Sequence, residues 1–501
     1  MIASQPTRIK AVHSAAAVGA AALFYLWHWL GPLSWGVSLH VDEAQYWTWS
    51  RELAWGYYSK PPVIAALMAA STHWGGDGWV GVKALPLLMY PLAAGVMGLW
   101  VAQVSADAVR GLAATLWVLA SPLLMLLGFA ATTDAPLLLC WALATVALWS
   151  ALQRPGNAWR WMALGAAWAI GVLSKYTMLA FLPGALLCLG LAWPRAARVQ
   201  WLRGLLWAGV TAGVLLAPHL LWSAQEGWVS WRHTAAITVQ RDDAAPERGV
   251  LAFVLGQALL IGPAAWLALR WRAPVPAATG TGAARFLLAL HLPLLAVGVL
   301  QAARGGANIN WAAPALIGLL AWLALVTRPP LRVVAIGAGV QALLVVGLIH
   351  APHVAHAWGG SWPTRLDFWA RMRGWAEAWA ALDTRLPVTT AAPVVIGVSR
   401  DVLALGQYHW RERPAHWRAW HDEGPPRHHY GWRHAWGPTE LKACGPQQPP
   451  CWLVATDAQA DRLLATAVGG LRAEPLATVT VTAMGVTRSL YAWQLRVTPL
   501  P

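Results

Sequence analysis

Charge is what this sequence has least of. Only 11% of its 501 residues are Asp, Glu, Lys or Arg, while 58% are hydrophobic. A soluble domain carries about 25% charged residues. The shortfall excludes an ordinary water-soluble globule and points to a chain that crosses a bilayer many times. Acids are scarcer than bases, 21 against 36, which leaves a formal net charge of +15. In a soluble protein that balance would suggest nucleic acid. Here many arginines fall in short loops between apolar runs and read as a topology signal instead. Phe and Tyr are few, 6 and 9, whereas there are 37 Trp, a residue favoured at membrane–water interfaces. Motifs are missing too. There is no HExxH and no Cys/His ligand spacing, so no metal site declares itself, although a divalent metal stays open. No Gly-rich loop ends in Lys-Ser or Lys-Thr, so nucleotide-driven transport is not indicated. Of the 4 cysteines, Cys140 and Cys188 lie in apolar runs as packing residues. Cys444 and Cys451 enclose "GPQQPP" in a polar tail and could pair outside the cytoplasm. No cleavable leader is evident; the first apolar run, after Arg8 and Lys10, is long enough to stay as an anchor.

A bilayer core needs about 20 apolar residues per helix. Hydropathy predicts spans near 11–30, 81–104, 110–129, 134–152, 160–176, 178–193, 204–223, 249–269, 285–302, 311–327 and 332–350, about eleven in all. With the N-terminus in the cytoplasm, the inner loops hold Arg110, Arg154, Arg160, Arg195, Arg198, Arg203, Arg270, Arg272, Arg285, Arg328 and Arg332, with Asp107 their one acid. The outer loops hold Asp42, Glu43, Glu52, Asp77, Glu226, Asp242, Asp243 and Glu247, along with Arg51, Lys60, Lys83 and Arg241. This orientation puts the tail outside as well. "PPVIAALMAASTHW" is apolar but short and reads as a helix along the membrane surface.

After about residue 351 the pattern changes. "APVVIGVSRDVLALGQYHW" and "CWLVATDAQADRLLATAV" each read strand then helix. "LATVTVTAMGVTRSLYAWQLRV" reads as a hairpin turning at Met484-Gly485. The predicted fold class is a polytopic α-helical membrane protein. Its membrane domain is 1–350, with outer loops 31–80 and 224–249, and its extracytoplasmic α/β domain is 351–501. "RHHYGWRH" in that tail reads as a water-exposed surface or an interdomain contact.

Several outer-face residues carry chemistry, each beside a plainer reading. Asp42 and Glu43 could supply a general base or hold a metal, or be solvated loop acids. Lys60 in "YYSKPP", with Tyr58 beside it, suits a phosphate, or could snorkel to anionic lipid. Asp134 in "ATTDAPLLLCW" is a second outer acid, or with Thr133 a helix cap ahead of Pro136. Lys175 in "VLSKYTM" is an ionisable group between two apolar runs, or a helix-end lysine. Arg304 and Asn310 in "ARGGANINWAAP" sit where glycines let backbone approach a ligand, or in a tight turn. Arg232, His233 and Arg241 are donors suited to phosphate, or ordinary loop residues.

Their order is more telling than any one of them. "DEAQYWTWS…GYYSKPP", "TTDAP", "LSKYT", "QEGWVSW" and "NINWAAP" together resemble the bacterial form of glycosyltransferase family 39. These are the GT-C-fold enzymes related to protein O-mannosyltransferases and lipid A aminoarabinose transferases. The resemblance covers about residues 39–315, and less specifically the tail. It implies transfer of a sugar from a polyprenyl-phosphate donor to an acceptor hydroxyl at the outer face of the bacterial inner membrane. By that resemblance Asp42 matches the general base with Glu43 its neighbour, Lys60 matches the lysine on the carrier phosphate, and Asp134 matches a second acid on the acceptor side. Arg241 or Arg304 would help Lys60 hold the phosphate. One base opposite the leaving group predicts inversion. The acceptor could be a protein, a lipid or a glycan. One departure stands out: Ser59 precedes Lys60 where the aminoarabinose transferases have an acid, which bears on any metal arrangement using that acid. The competing class is a transporter or flippase for a lipid-linked sugar. It should bury ionisable groups near the midplane, whereas the span middles here read as apolar.

Overall fold

The structure is a computed structural model, described for residues 5–192, 198–239, 246–274, 280–304, 307–420, 426–437, 444, 448–460 and 471–497. By contacts the chain divides into two compact units: Met1–Gly31 with Ala54–Gly56 and Lys60–Gly347, and Pro32–Leu53 with Tyr57–Ser59 and Leu348–Pro501. Most of the first long loop up to residue 59 therefore groups with the tail, which its sequence position does not suggest.

The first unit is helical. Among the described residues, seven helices of the chain are long and apolar enough to cross a membrane, or eight if a bent pair counts as one. They account for eight of the predicted segments. The other three are helical but shorter: Ala108–Ala120 with Pro122–Leu127, Ala158–Ser174, and Tyr176–Ala180 running on into Phe181–Ala192. The first of these was read as one span and is two helices. Pro122 cannot continue the Ala108–Ala120 ladder, and Ser121 Oγ accepts the Leu124 N–H at 3.2 Å to start a new helix. The bent pair, Gly249–Ile261 and Pro263–Trp271, turns by 78° at Gly262, whose φ is 91°. A break inside an apolar layer frees backbone groups that need partners. Gln341 serves both breaks: its Oε1 accepts the Ala264 N–H at 3.0 Å after Gly262, and its Nε2 donates at 2.8 Å to the carbonyl of Ala120, ahead of Pro122.

Helices approach closely where a side chain is missing. A Cβ on Gly165 of helix Ala158–Ser174 would collide with the Ala208 carbonyl of helix Arg198–Gln225. Small residues serve membrane helix packing in this way, since lipid gives no hydrophobic drive to associate. The helix predicted from "PPVIAALMAASTHW" is present as Val63–Gly75. At about 20 Å it is too short to span. The outer loop 224–249 is not a plain loop: Val229–Val239 is helical.

Some polar side chains are buried within the helices of this unit. Lys83, expected in a loop, is fully buried in helix Trp79–Ser105 and donates to the Phe129 carbonyl at 2.5 Å. His28, His219 and His291 are also fully buried. Each places a ring nitrogen within 2.6–2.8 Å of a backbone carbonyl, which serves as the polar partner that a buried imidazole needs.

The second unit is built on a six-stranded sheet: β1 Val394–Gly397, β2 His416–Trp420, β3 Ala435–Trp436, β4 Cys451–Ala455, β5 Leu471–Ala483 and β6 Val486–Val497, in the order β3-β2-β1-β4-β6-β5. The first four strands in that order run parallel, and β6 and β5 close the sheet antiparallel. The predicted hairpin turn is there, with φ 49° at Met484 and 81° at Gly485. Positive φ at both positions matches the right-handed twist of the flanking strands. Strand β1 leads into helix Arg400–His409 as read; the helix expected after β4 lies outside the described residues. Residues from the first loop complete this unit. Ser38 N–H donates to the Met372 carbonyl at 2.9 Å, Ser38 Oγ meets His409 Nε2 at 2.8 Å, and Thr48 Oγ1 meets Tyr430 Oη at 2.9 Å.

Cys444 and Cys451 form the expected disulfide, seven residues apart. Such a small loop contributes about 2–3 kcal/mol by unfolded-state entropy. A Cys451→Ser variant, or wild type under dithiothreitol, should lose about that much in a melting experiment. No change would mean that the bond is not formed in the cell.

Burial holds two histidines of this unit neutral. Desolvation, aided by the positive charge of Arg411, takes His409 down to about 4. Desolvation, aided by His434, Arg433 and His428, takes His429 down to about 3. The tail histidines are thus not all surface groups, and His429 packs edge-on to Trp49 and Tyr57. Between the ordinary histidine value and these lowered ones, the unfolded chain binds more protons than the folded one. Stability therefore falls on acidification through that window. The melting temperature in detergent should decline from pH 6.5 toward pH 4. A flat profile would mean that both rings take up protons while folded.

Candidate functional site

The second unit presents Asp42 on the first turn of helix Val41–Arg51. The start of that helix explains the Asp-Glu pair. Glu43 is fully buried, and its Oε2 accepts the His40 N–H at 2.9 Å. His40 Nδ1 accepts the Asp42 N–H at 3.2 Å. Together they form a reciprocal cap. The two acids thus differ: Glu43 closes the helix, while the Asp42 side chain is 35% exposed. His40 Nδ1 also lies 3.6 Å from Asp42 Oδ2.

Arg400 holds the other oxygen. Its Nη1 donates to Asp42 Oδ1 at 2.8 Å and to Gln45 Oε1 at 3.2 Å. Arg400 opens the helix after β1, behind the N-cap Ser399. In the order β3-β2-β1-β4 the chain leaves β1 for β2 on one side, while β4 lies on the other. The carboxyl end of β1 is therefore a topological switch point, where open α/β sheets expose loop residues to ligands. No sequence motif marks Arg400 as a site residue, since its partner lies 358 positions away. Tyr58, also in this unit, is half-buried and donates to the Pro426 carbonyl at 2.5 Å, and desolvation raises its phenol above the ordinary value.

In the first unit three of the sequence candidates meet. Lys175 Nζ donates to Asp134 Oδ1 at 2.7 Å and Asn310 Nδ2 to Asp134 Oδ2 at 3.3 Å. Asp134 starts helix Asp134–Gln153, Lys175 follows helix Ala158–Ser174, and Asn310 lies in the turn Ile309–Ala312. The carboxylate is 6% exposed and the lysine 15%. Thr133 makes no side-chain cap here. Lys60 is half-buried, and Pro62 leads directly into helix Val63–Gly75. Arg304 is exposed after helix Gly280–Ala303. Arg232 is exposed and His233 half-buried on helix Val229–Val239. Arg241 lies outside the described residues.

Among the described residues no three His, Cys, Asp or Glu side chains gather as a metal ligand set, and Ser59 stands before Lys60.

Comparison with known proteins agrees with the motif order. Residues 59–222 match the family model for dolichyl-phosphate-mannose-protein mannosyltransferase. Over 288 residues the chain is 30% identical to the lipid A galacturonosyltransferase RgtD of Rhizobium johnstonii, an alignment covering 56% of this chain and 60% of that protein. The match thus spans about three fifths of that relative's length. Among solved structures, ArnT from Cupriavidus metallidurans in the apo state superposes with a TM-score of 0.65 at 13% identity, over 95% of this chain and 98% of that one. The same protein bound to undecaprenyl phosphate gives 0.58 at 14% identity, over 95% and 97%. At such identities the likeness is one of fold: apolar helices followed by a sheet-containing unit. In motif order, family model and fold, the chain resembles the GT-C glycosyltransferases of family 39.

Proposed function

We propose that this chain moves a sugar from a polyprenyl-phosphate donor to an acceptor hydroxyl at the outer face of the bacterial inner membrane, with inversion. Asp42 is the general base and Lys60 the cation on the donor phosphate. The observation that carries this reading is the division of labour at Asp42-Glu43. One carboxylate is buried in a helix cap; the other is partly exposed, with one oxygen held by Arg400. An acceptor hydroxyl is a weak nucleophile and needs a carboxylate in reach. A carrier phosphate already leaves readily, and needs a cation to meet its growing charge. The named relatives support the lipid-linked donor class: ArnT was crystallised with undecaprenyl phosphate, and RgtD is named for transfer to lipid A. A lipid acceptor is therefore the first to try. The disulfide of the tail favours an oxidising compartment, which supports the outward orientation.

The test is transfer in reconstituted membranes, with labelled polyprenyl-phosphate sugars and lipid A as acceptor. Lys60→Ala should weaken donor binding by about 10- to 100-fold, the worth of one charge-assisted hydrogen bond. Movement of the lipid-linked sugar across the bilayer with no transfer from any donor would overturn the reading in favour of a flippase.

A further inference from the structure

Residues of three motif segments that have no part in the site described above meet in one buried network of the first unit. Tyr176 comes from "LSKYT", Ser230 and Trp231 from "QEGWVSW", and Trp55-Gly56 precede "YYSKPP". His219, fully buried in helix Arg198–Gln225, joins them. Its Nδ1 lies 2.6 Å from the Trp55 carbonyl, its Nε2 3.0 Å from Tyr176 Oη, and that oxygen is 2.6 Å from Ser230 Oγ.

Donor and acceptor counting fixes every proton in this chain. A carbonyl can only accept, so Nδ1 carries the hydrogen. In a neutral imidazole Nε2 must then accept, so Tyr176 O–H donates to it. The Tyr176 oxygen is left to accept, so Ser230 O–H donates. For the neutral ring the result is a one-directional line of hydrogen bonds ending on the backbone of Trp55, with a single tautomer. One turn along the same helix, Trp222 lies against Gly56 so closely that a Cβ there would collide with the indole. Tyr176 also stacks on Trp231 at 4.2 Å. His219 and Trp222 thus grip two successive residues, four to five positions ahead of Lys60.

We propose that His219 and Trp222 are positioning residues that fix where the chain enters the Lys60-Pro61-Pro62 segment, and through it where Lys60 meets the donor phosphate. The proposal rests on the role given to Lys60 above. Two rigid prolines follow Lys60 and bias its backbone toward extended conformations. The prolines restrain the lysine directly, and the grip on Trp55-Gly56 anchors the chain before Tyr57–Ser59, the three residues ahead of the lysine.

The experiment is a double-mutant cycle on the full chain in nanodiscs, reading affinity for undecaprenyl phosphate. His219→Leu should weaken binding roughly 5- to 10-fold, and His219→Asn, which keeps a donor near the Trp55 carbonyl, should recover part of the loss. Lys60→Ala combined with His219→Leu should bind no more weakly than Lys60→Ala alone, because His219 acts through the lysine. Multiplying losses would overturn the proposal and leave a general structural role. Hydrogen exchange at the amides of residues 56–60 gives a readout that does not depend on the donor: it should quicken in His219→Leu, and unchanged protection would also overturn the proposal. If Lys60→Ala leaves affinity intact, the donor-site reading fails, and the exchange result alone decides the grip. Should His219→Leu not fold, Ser230→Ala removes only the first donor of the line and is measured in the same two ways.

Discussion

Sugar transfer by Asp42→Asn should drop about 10²- to 10⁴-fold, the usual worth of a general base, with affinity for polyprenyl phosphate unchanged. Asparagine keeps the shape, and its amide oxygen can still accept from Arg400 Nη1, now 2.8 Å from Asp42 Oδ1. What it loses is the capacity to take the acceptor's proton. The separation of binding from turnover is the informative part. A mutation that removed both equally would point to a disturbed fold. Transfer that survives in Asp42→Asn would sink the assignment of the base. Arg400→Gln is a useful companion: it leaves the carboxylate in place but releases the oxygen that the guanidinium orients, and should cost less than Asp42→Asn.

The largest stability effect is expected at Lys175. Lys175→Met would strand the buried Asp134 carboxylate without its cation, at a cost of about 3–5 kcal/mol. The double variant Asp134→Asn/Lys175→Met should recover most of that loss, because breaking a buried pair costs far more than replacing it. Asn310 can still donate to the side-chain amide oxygen that the double variant carries in place of the carboxylate. Thermal melts in one detergent at one pH compare the three proteins. A single variant as stable as wild type would mean that water reaches the carboxylate. The pair would then be a surface contact worth little.

Much of the fold is legible in the residue pattern alone. Apolar runs locate the helices, because hydropathy measures what the bilayer selects for. Alternation and turn residues locate β5, β6 and the Met484-Gly485 turn. Two boundaries mislead. The 110–129 run is uniformly apolar, so its break at Ser121-Pro122 shows only in the proline. The helix Val229–Val239 carries Arg232 and His233 on a mixed surface, so no apolar window marks it. Asp134, Lys175 and Asn310 are each visible as polar residues at the ends of apolar runs. Their meeting around one carboxylate is not, since separations of 41 and 176 residues depend on how helices pack. Arg400 is hidden in a segment that reads only as strand and helix. His219 carries a signal of its own that the motif order passes over: a polar ring inside an apolar run, which in a membrane needs a reason.

The outer strand of the sheet has a consequence for life at a crowded membrane. Strand β5 has thirteen residues and, among the described residues, pairs with β6 alone, with Arg385 donating to its Thr478 carbonyl; a long edge strand of that kind offers a row of backbone donors and acceptors to any neighbouring chain. The register shift between Pro475 and Ala477 interrupts that row, and Pro475 has no N–H to offer. Arg472 and Glu474 add charge ahead of it. At the opposite margin β3 is two residues long and presents little to copy. Both margins of the sheet therefore discourage strand-to-strand association, so that many copies can share one membrane face without their sheets fusing edge to edge.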